Sequence, residues 1–130
     1  MMRIHDAYTA IMTQTLRPAD LGVAELEQKP LSPPSAEPLS GEILVRSAVA
    51  FANDTRTIVS SIWESDPGTS RWEFLTRGEI VHILAGRMVV TQDGGAPVEL
   101  TAGSVAYYPI GWTGVWEVIE PVRKFYVVYR

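Results

Sequence analysis

The sequence predicts an all-β domain, a sandwich or barrel, preceded by an extended N-terminal arm. Three observations carry this reading. After Gly41, short runs rich in β-branched and aromatic residues follow one another closely. Clusters of Gly, Pro, Asp and Ser separate them. No segment beyond residue 41 sustains a helical apolar period. The 130 residues are enough for one domain with a real core.

The arm comes first. Five of the nine prolines fall at positions 18, 30, 33, 34 and 38. Residues 29–35 read as extended, because proline lacks the N–H for a helix or ladder bond and biases its predecessor away from helix. A short helix over 18–28 is predicted, with Pro18 in its first turn and Leu21, Ala24, Glu25 and Gln28 at helical spacing. Such a helix is too short to stand alone. Residues 1–40 therefore form an arm, laid on the domain or on a second subunit, or else a partly free tail. The domain proper is assigned to residues 41–130.

Strands are predicted at 43–51, 57–63, 70–75, 79–85, 87–92, 98–100, 104–108, 115–119 and 122–129. Asp93-Gly94-Gly95 is a hairpin signal, since glycine accepts the positive φ that tight turns need. Asp66-Pro67-Gly68, Thr101-Ala102-Gly103 and Pro109-Ile110-Gly111 supply further breaks. Gly86, between two strand runs, suits a reversal or bulge. Val81, Ile83, Val105 and Val118 are expected to face inward. Tyr107 and Tyr108 are adjacent, so they must face opposite sides.

Composition removes whole function classes. There is no Cys, hence no disulfide, zinc knuckle or thiol nucleophile. Two His, at 5 and 82, cannot build a three-histidine metal site within one subunit. The net charge is −4 and only Arg123 and Lys124 are adjacent cations, which argues against nucleic acid. No apolar run approaches the roughly 20 residues of a membrane span, and no secretory signal opens the chain, so a cytoplasmic protein is expected. Nucleophile elbow, P-loop and dinucleotide fingerprint are all missing.

Two spaced motifs point to a family. Glu79-Ile-Val-His-Ile-Leu-Ala-Gly86 resembles the second half of the first cupin motif, and Gly103-Ser-Val-Ala-Tyr-Tyr-Pro109-Ile-Gly111 resembles the start of the second. Residues 62–69 and 114–126 are similar to a small single-domain cupin family related to the (S)-ureidoglycine aminohydrolase cupin domain. The resemblance covers roughly residues 39–130. It implies a cupin-type double-stranded β-helix, that is, a jelly-roll barrel, and a homodimer. Exposed sheet edges give dimerisation a physical motive.

The resemblance also implies where a metal would sit. Metal-binding cupins take two His and one Glu from the first motif and one His from the second. Here Glu79 holds the glutamate position. The two histidine positions fall on Glu73 and Leu75 with one spacer, or on Trp72 and Phe74 with the other. The second-motif histidine position falls on Gly114 and an asparagine position on Val118. No metal or other cofactor is therefore expected; Glu79 and Glu73 are the only candidate ligands, and such an oxygen-rich pair would suit Mn²⁺ or another divalent ion. His82, three residues from Glu79, faces the other side of the strand and is read as a packing or interface residue. His5, in the arm, is read as solvated.

A carboxylate inside an apolar barrel is costly unless paired. Arg71 and Lys124 are the candidate partners of Glu79. The candidate ligand-binding set is Glu79, Glu73, Arg71, Trp116, Tyr107 and Lys124, with aromatic walls covering a small polar metabolite. Trp112 and Trp116 flank Gly114, which leaves space above an aromatic face. Three functions remain open: a small-molecule-binding cupin without the usual histidine metal site, a divalent-metal-dependent hydrolase or aminohydrolase, and a structural or interaction domain.

Overall fold

A computed structural model describes residues 11–130; His5 lies outside them. Nine strands form one curled antiparallel sheet: β1 Glu27–Pro30, β2 Ala36–Pro38, β3 Leu44–Ala52, β4 Ile58–Ser65, β5 Gly68–Phe74, β6 Gly78–Gln92, β7 Val98–Thr101, β8 Val105–Tyr108 and β9 Trp112–Tyr129. One path through the sheet runs β1-β3-β4-β9-β5-β2, and β6 pairs with β7, β8 and β9. The fold is the jelly-roll barrel expected.

Two long strands close the barrel. The first half of β9 lies between β5 and β6, with Trp72 opposite Gly114 and Val90 opposite Trp116. Its second half lies between β4 and β6, with Trp63 opposite Lys124 and Ile83 opposite Lys124. The sequence reading broke each of these strands in two. They are continuous because the breaks are bulges that keep the ladder going. Between Ala85 and Met88 the β6 register shifts opposite Glu120 to Arg123. Gly86 sits there at φ +89°, a conformation open mainly to glycine. A Cβ on it would also meet the backbone carbonyl of Pro121.

Two strands before Gly41, β1 and β2, are part of this barrel. The helix expected over 18–28 is replaced by two 3₁₀ turns, Pro18–Asp20 and Val23–Glu25. Gly22 is extended at ψ 166° and splits the segment, while the Glu25 carboxylate accepts its N–H at 2.6 Å. Gln28 is drawn instead into β1, opposite Arg46 of β3. Strand pairing satisfies more backbone than a lone helical turn would. β2 covers β5 in the same way, with Ala36 opposite Trp72. The 31–35 segment joins the two ends of the sheet path, and Leu31 and Ala36 enter the core.

The inward pattern follows strand parity. Val81, Ile83 and Val118 are buried as expected, but Val105 is 68% exposed. The cause is register. Directly opposed residues share a face, and β8 sets Val105 opposite His82 and Tyr108 opposite Glu79. Tyr108 therefore faces inward and Tyr107 outward. His82 is exposed on the outer face, as its spacing from Glu79 implied. Among the described residues no helix is long and apolar enough to cross a membrane.

Gly86→Ala should cost at least about 2 kcal/mol in urea denaturation, since strain and a backbone collision combine. Gly94→Ala is the control: its φ is also positive, +78°, but no atom lies within 4 Å of the new methyl. That substitution should cost only about 1–2 kcal/mol, the left-handed penalty alone.

Candidate functional site

Among the described residues, the interior of the barrel holds one buried ion pair. Glu79 shares the inward face of β6 with Val81 and Ile83, and Lys124 projects from β9. The Lys124 ammonium donates to Glu79 Oε1 at 2.6 Å, and the two side chains are only 3% and 4% exposed. Aromatic rings surround the ammonium. Its Nζ lies 4.4 Å from the Trp116 ring centre, 4.5 Å from Trp63, 4.9 Å from Tyr126 and 5.9 Å from Trp72.

Each of these contacts has an energetic reason. Removing two charges from water costs several kcal/mol per ion, which the mutual attraction must offset. Cation–π contacts add about 0.5–2 kcal/mol each when desolvated. Burial pushes the Lys124 pKa down, while Glu79 holds it up through its charge and hydrogen bond. Arg77 acts in the same direction as burial. Burial likewise raises the Tyr126 and Tyr108 phenols, so both stay neutral at physiological pH.

The rings are themselves organised. Trp72 stacks on Trp116 with centroids 3.9 Å apart, and Trp63 meets both edge-on. Trp72 Nε1 donates to Ser70 Oγ at 2.8 Å, whereas Trp116 Nε1 is buried with no partner. Gly114, opposite Trp72, is where the second-motif histidine position falls. A Cβ there would meet the Thr91 carbonyl and lie 2.6 Å from the Trp112 ring. Trp112 thus fills the space that the missing side chain was expected to open.

A cavity of about 250 Å³ lies against this cage. Trp63, Trp72, Tyr126, Glu79 and Lys124 form its floor and sides, together with Arg77 from the β5–β6 connection. The proline-rich 29–35 segment forms another wall. A second, more open cavity of about 560 Å³ adjoins it, and Arg77, Pro33, Pro34 and Ser35 border both.

The predicted site residues divide clearly. Glu79, Lys124 and Trp116 come together, and Lys124, not Arg71, is the partner of Glu79. Arg71 points outward and forms a two-pronged bond with Asp93, at 3.0 and 2.8 Å. It ties the 93–95 hairpin to β5, helped by Thr113, whose hydroxyl donates to Asp93 at 2.8 Å. Glu73 is exposed on the same outward face as Arg71 and borders only the second cavity. Tyr107 is exposed and shares a 2.6 Å hydrogen bond with Tyr129, away from the cavity. Trp63, Arg77, Tyr126 and the 31–35 wall were not anticipated. The inward parity of Trp63 and Tyr126 was readable from the strands; the place of Arg77 in a connection was not.

Metal ligation does not fit these residues. The inward residues of β5 are Trp72 and Phe74, so the two first-motif histidine positions carry aromatic rings. Glu73, the only other candidate, is on the opposite face and does not join Glu79. The remaining carboxylate is bound by Lys124. Among the described residues no group of three or more His, Cys, Asp or Glu could hold a metal ion.

Fold and motifs define a cupin. The chain belongs to the EutQ-like cupin domain family (Cupin_3), whose model matches residues 52–126. Solved structures agree on the fold. A DUF861-family protein from Pseudomonas syringae pv. tomato superposes with a TM-score of 0.71 at 23% identity, covering 87% of this chain and 46% of that one. The Clostridium difficile EutQ protein gives 0.57 at 22% identity, covering 67% and 68%. A Thermotoga maritima protein described as a predicted oxalate decarboxylase gives 0.60 at 19% identity, covering 83% and 96%. This chain thus spans under half of the Pseudomonas protein. No curated protein matches it.

Lys124→Met should destabilise the fold by about 3–5 kcal/mol in chemical denaturation, because it strands a buried carboxylate. Adding Glu79→Leu to it should recover most of that loss, since no unpaired charge then remains. A different signature belongs to Asp93. Arg71 and then Thr113 hold its pKa at about 2, below its ordinary 3.8. The stability it contributes is complete above the unfolded value and fades as pH falls from about 4 through about 2. Asp93→Asn should flatten that part of the acid limb of a Tm-against-pH curve.

Proposed function

We propose that this protein is a small-molecule-binding cupin that works without a metal centre. The single observation carrying this reading is the Lys124–Glu79 pair. The carboxylate in the family's ligand position is neutralised by a built-in ammonium, and aromatic rings stand where histidines would. The cavity beside it has the composition of a metabolite site: apolar ring faces with a few converging polar groups. Its 250 Å³ suits a small molecule rather than a polymer. Among the described residues, Ser32, Ser35 and Ser47 add hydroxyls able to give and accept hydrogen bonds.

The metal-dependent hydrolase reading, suggested by the likeness to the ureidoglycine aminohydrolase cupin domain, needs a second ligand beside Glu79. Glu73 cannot supply it from the outer face. An interaction domain would leave the cavity without an occupant, which a ligand screen decides.

Protein produced without a histidine tag should contain far less than one equivalent of any transition metal by elemental analysis. Its Tm should not respond to a chelator. A stoichiometric metal that Glu79→Gln removes would overturn the reading. Metabolites that occupy the cavity should raise Tm and perturb tryptophan emission, because Trp63 and Trp72 line it. Failure of every member of a broad metabolite panel to do either would favour the interaction domain.

A further inference from the structure

Charge in the cavity wall is unbalanced. Three basic side chains border it, Lys29, Arg77 and Lys124, against the single carboxylate of Glu79. Lys124 and Glu79 neutralise one another at 2.6 Å. Lys29 is exposed and solvated on β1. Arg77 is different. It is half-buried, and among the described residues its guanidinium has no hydrogen-bonded or ion-paired carboxylate. The other half-buried arginines are engaged: Arg46 on Asp66, Arg71 on Asp93, Arg87 beside Glu99 and Glu120, and Arg123 on the Leu21 carbonyl.

Arg77 is also held in place without being neutralised. Its Cζ lies 5.8 Å from the Phe74 ring centre, a cation–π contact that does not cancel its charge. It lines the same cavity as Lys124 and Tyr126. Glu37 and Glu73 line the neighbouring cavity with Arg77, but neither approaches within ion-pair distance.

The geometry points to Arg77 as the anchor for an anionic ligand, and to a small carboxylate as the class of metabolite this cavity takes. This rests on the cavity-binding reading above and narrows it. A guanidinium edge matches a planar carboxylate with two parallel hydrogen bonds. The Ser32, Ser35 and Ser47 hydroxyls would then meet hydroxyl or keto groups on the rest of a small hydroxy- or keto-acid. The Glu79–Lys124 pair contributes no net charge to attract or repel it. A tetrahedral phosphate is a poorer match, because one guanidinium satisfies only part of its charge.

The test pairs each acid with its neutral isostere: glycolate with glycolamide and pyruvate with pyruvamide. Calorimetric titration of the untagged protein should show each acid binding at least about tenfold more tightly than its amide. Arg77→Gln should bring acid and amide to similar affinity while leaving Tm unchanged, and Arg77→Lys should restore part of the difference. Amides binding as well as acids, with Arg77→Gln altering neither, would overturn the anion assignment and leave metal-free binding intact. Silence from all four probes would also overturn it for acids of this size, while the metal measurement still judges the broader reading separately. Tighter binding of inorganic phosphate than of either acid, lost in Arg77→Gln, would replace carboxylate with phosphate and so overturn the assignment.

Discussion

The interior of this barrel is arranged around one buried cation. An ammonium enclosed by protein must meet either a carboxylate or an electron-rich ring face, and Lys124 meets both. That requirement dictates much of the rest. Glu79 must face inward, which sets the parity of β6. Trp63, Trp72 and Trp116 must all gather around the ammonium to share the charge, Trp63 edge-on to the stacked pair, which draws β4, β5 and β9 together. The register in which Trp63 and Ile83 both lie opposite Lys124 delivers those groups to one point. Hydrophobic burial supplies the bulk of the driving force, but it would tolerate other registers; an unpaired buried charge would not.

The same arrangement shows how a ligand-poor cupin interior stays intact. Where metal-binding relatives of the fold place imidazoles, this chain places indole and phenyl rings, and glycine at the last position. Gly114 is not an empty place. The Trp112 ring occupies the space that a side chain at Gly114 would need, and packs against Phe74 and Tyr108. The glutamate's charge is neutralised by a cation that is covalently part of the chain, Lys124. A histidine introduced at any single one of these positions would therefore meet packed aromatic side chains.

Much of this was legible in the chain itself, and the limits are physical. Alternation along 79–85 identified Glu79 as inward and His82 as outward, because strand parity needs no tertiary information. The partner of Glu79 was narrowed to Arg71 or Lys124 but not decided. Deciding it required the pairing of β5 with β9, which puts Arg71 beside the hairpin carboxylate of Asp93. The two spacers for the histidine positions were equally open until β5 turned Trp72 and Phe74 inward. Val105 failed because its face depends on its partner strand, not on its own hydrophobicity. Arg77 lies in a connection, where no period applies. The 18–28 segment failed because helical spacing over one short stretch cannot outweigh an available sheet edge.

The wall contributed by residues 31–35 has a separate consequence. It lies upstream of residues 52–126, the stretch that marks the family, and it crosses from one end of the sheet path to the other without regular pairing of its own. The buried pair thus comes from inside that stretch, and one wall of the cavity beside it from outside. Substitutions in the 32–35 turn change the shape of the cavity wall without breaking a strand pair. The cavity lining is thus drawn from residues both inside and upstream of the stretch that marks the family, and the upstream turn is the part of it that no strand pairing fixes.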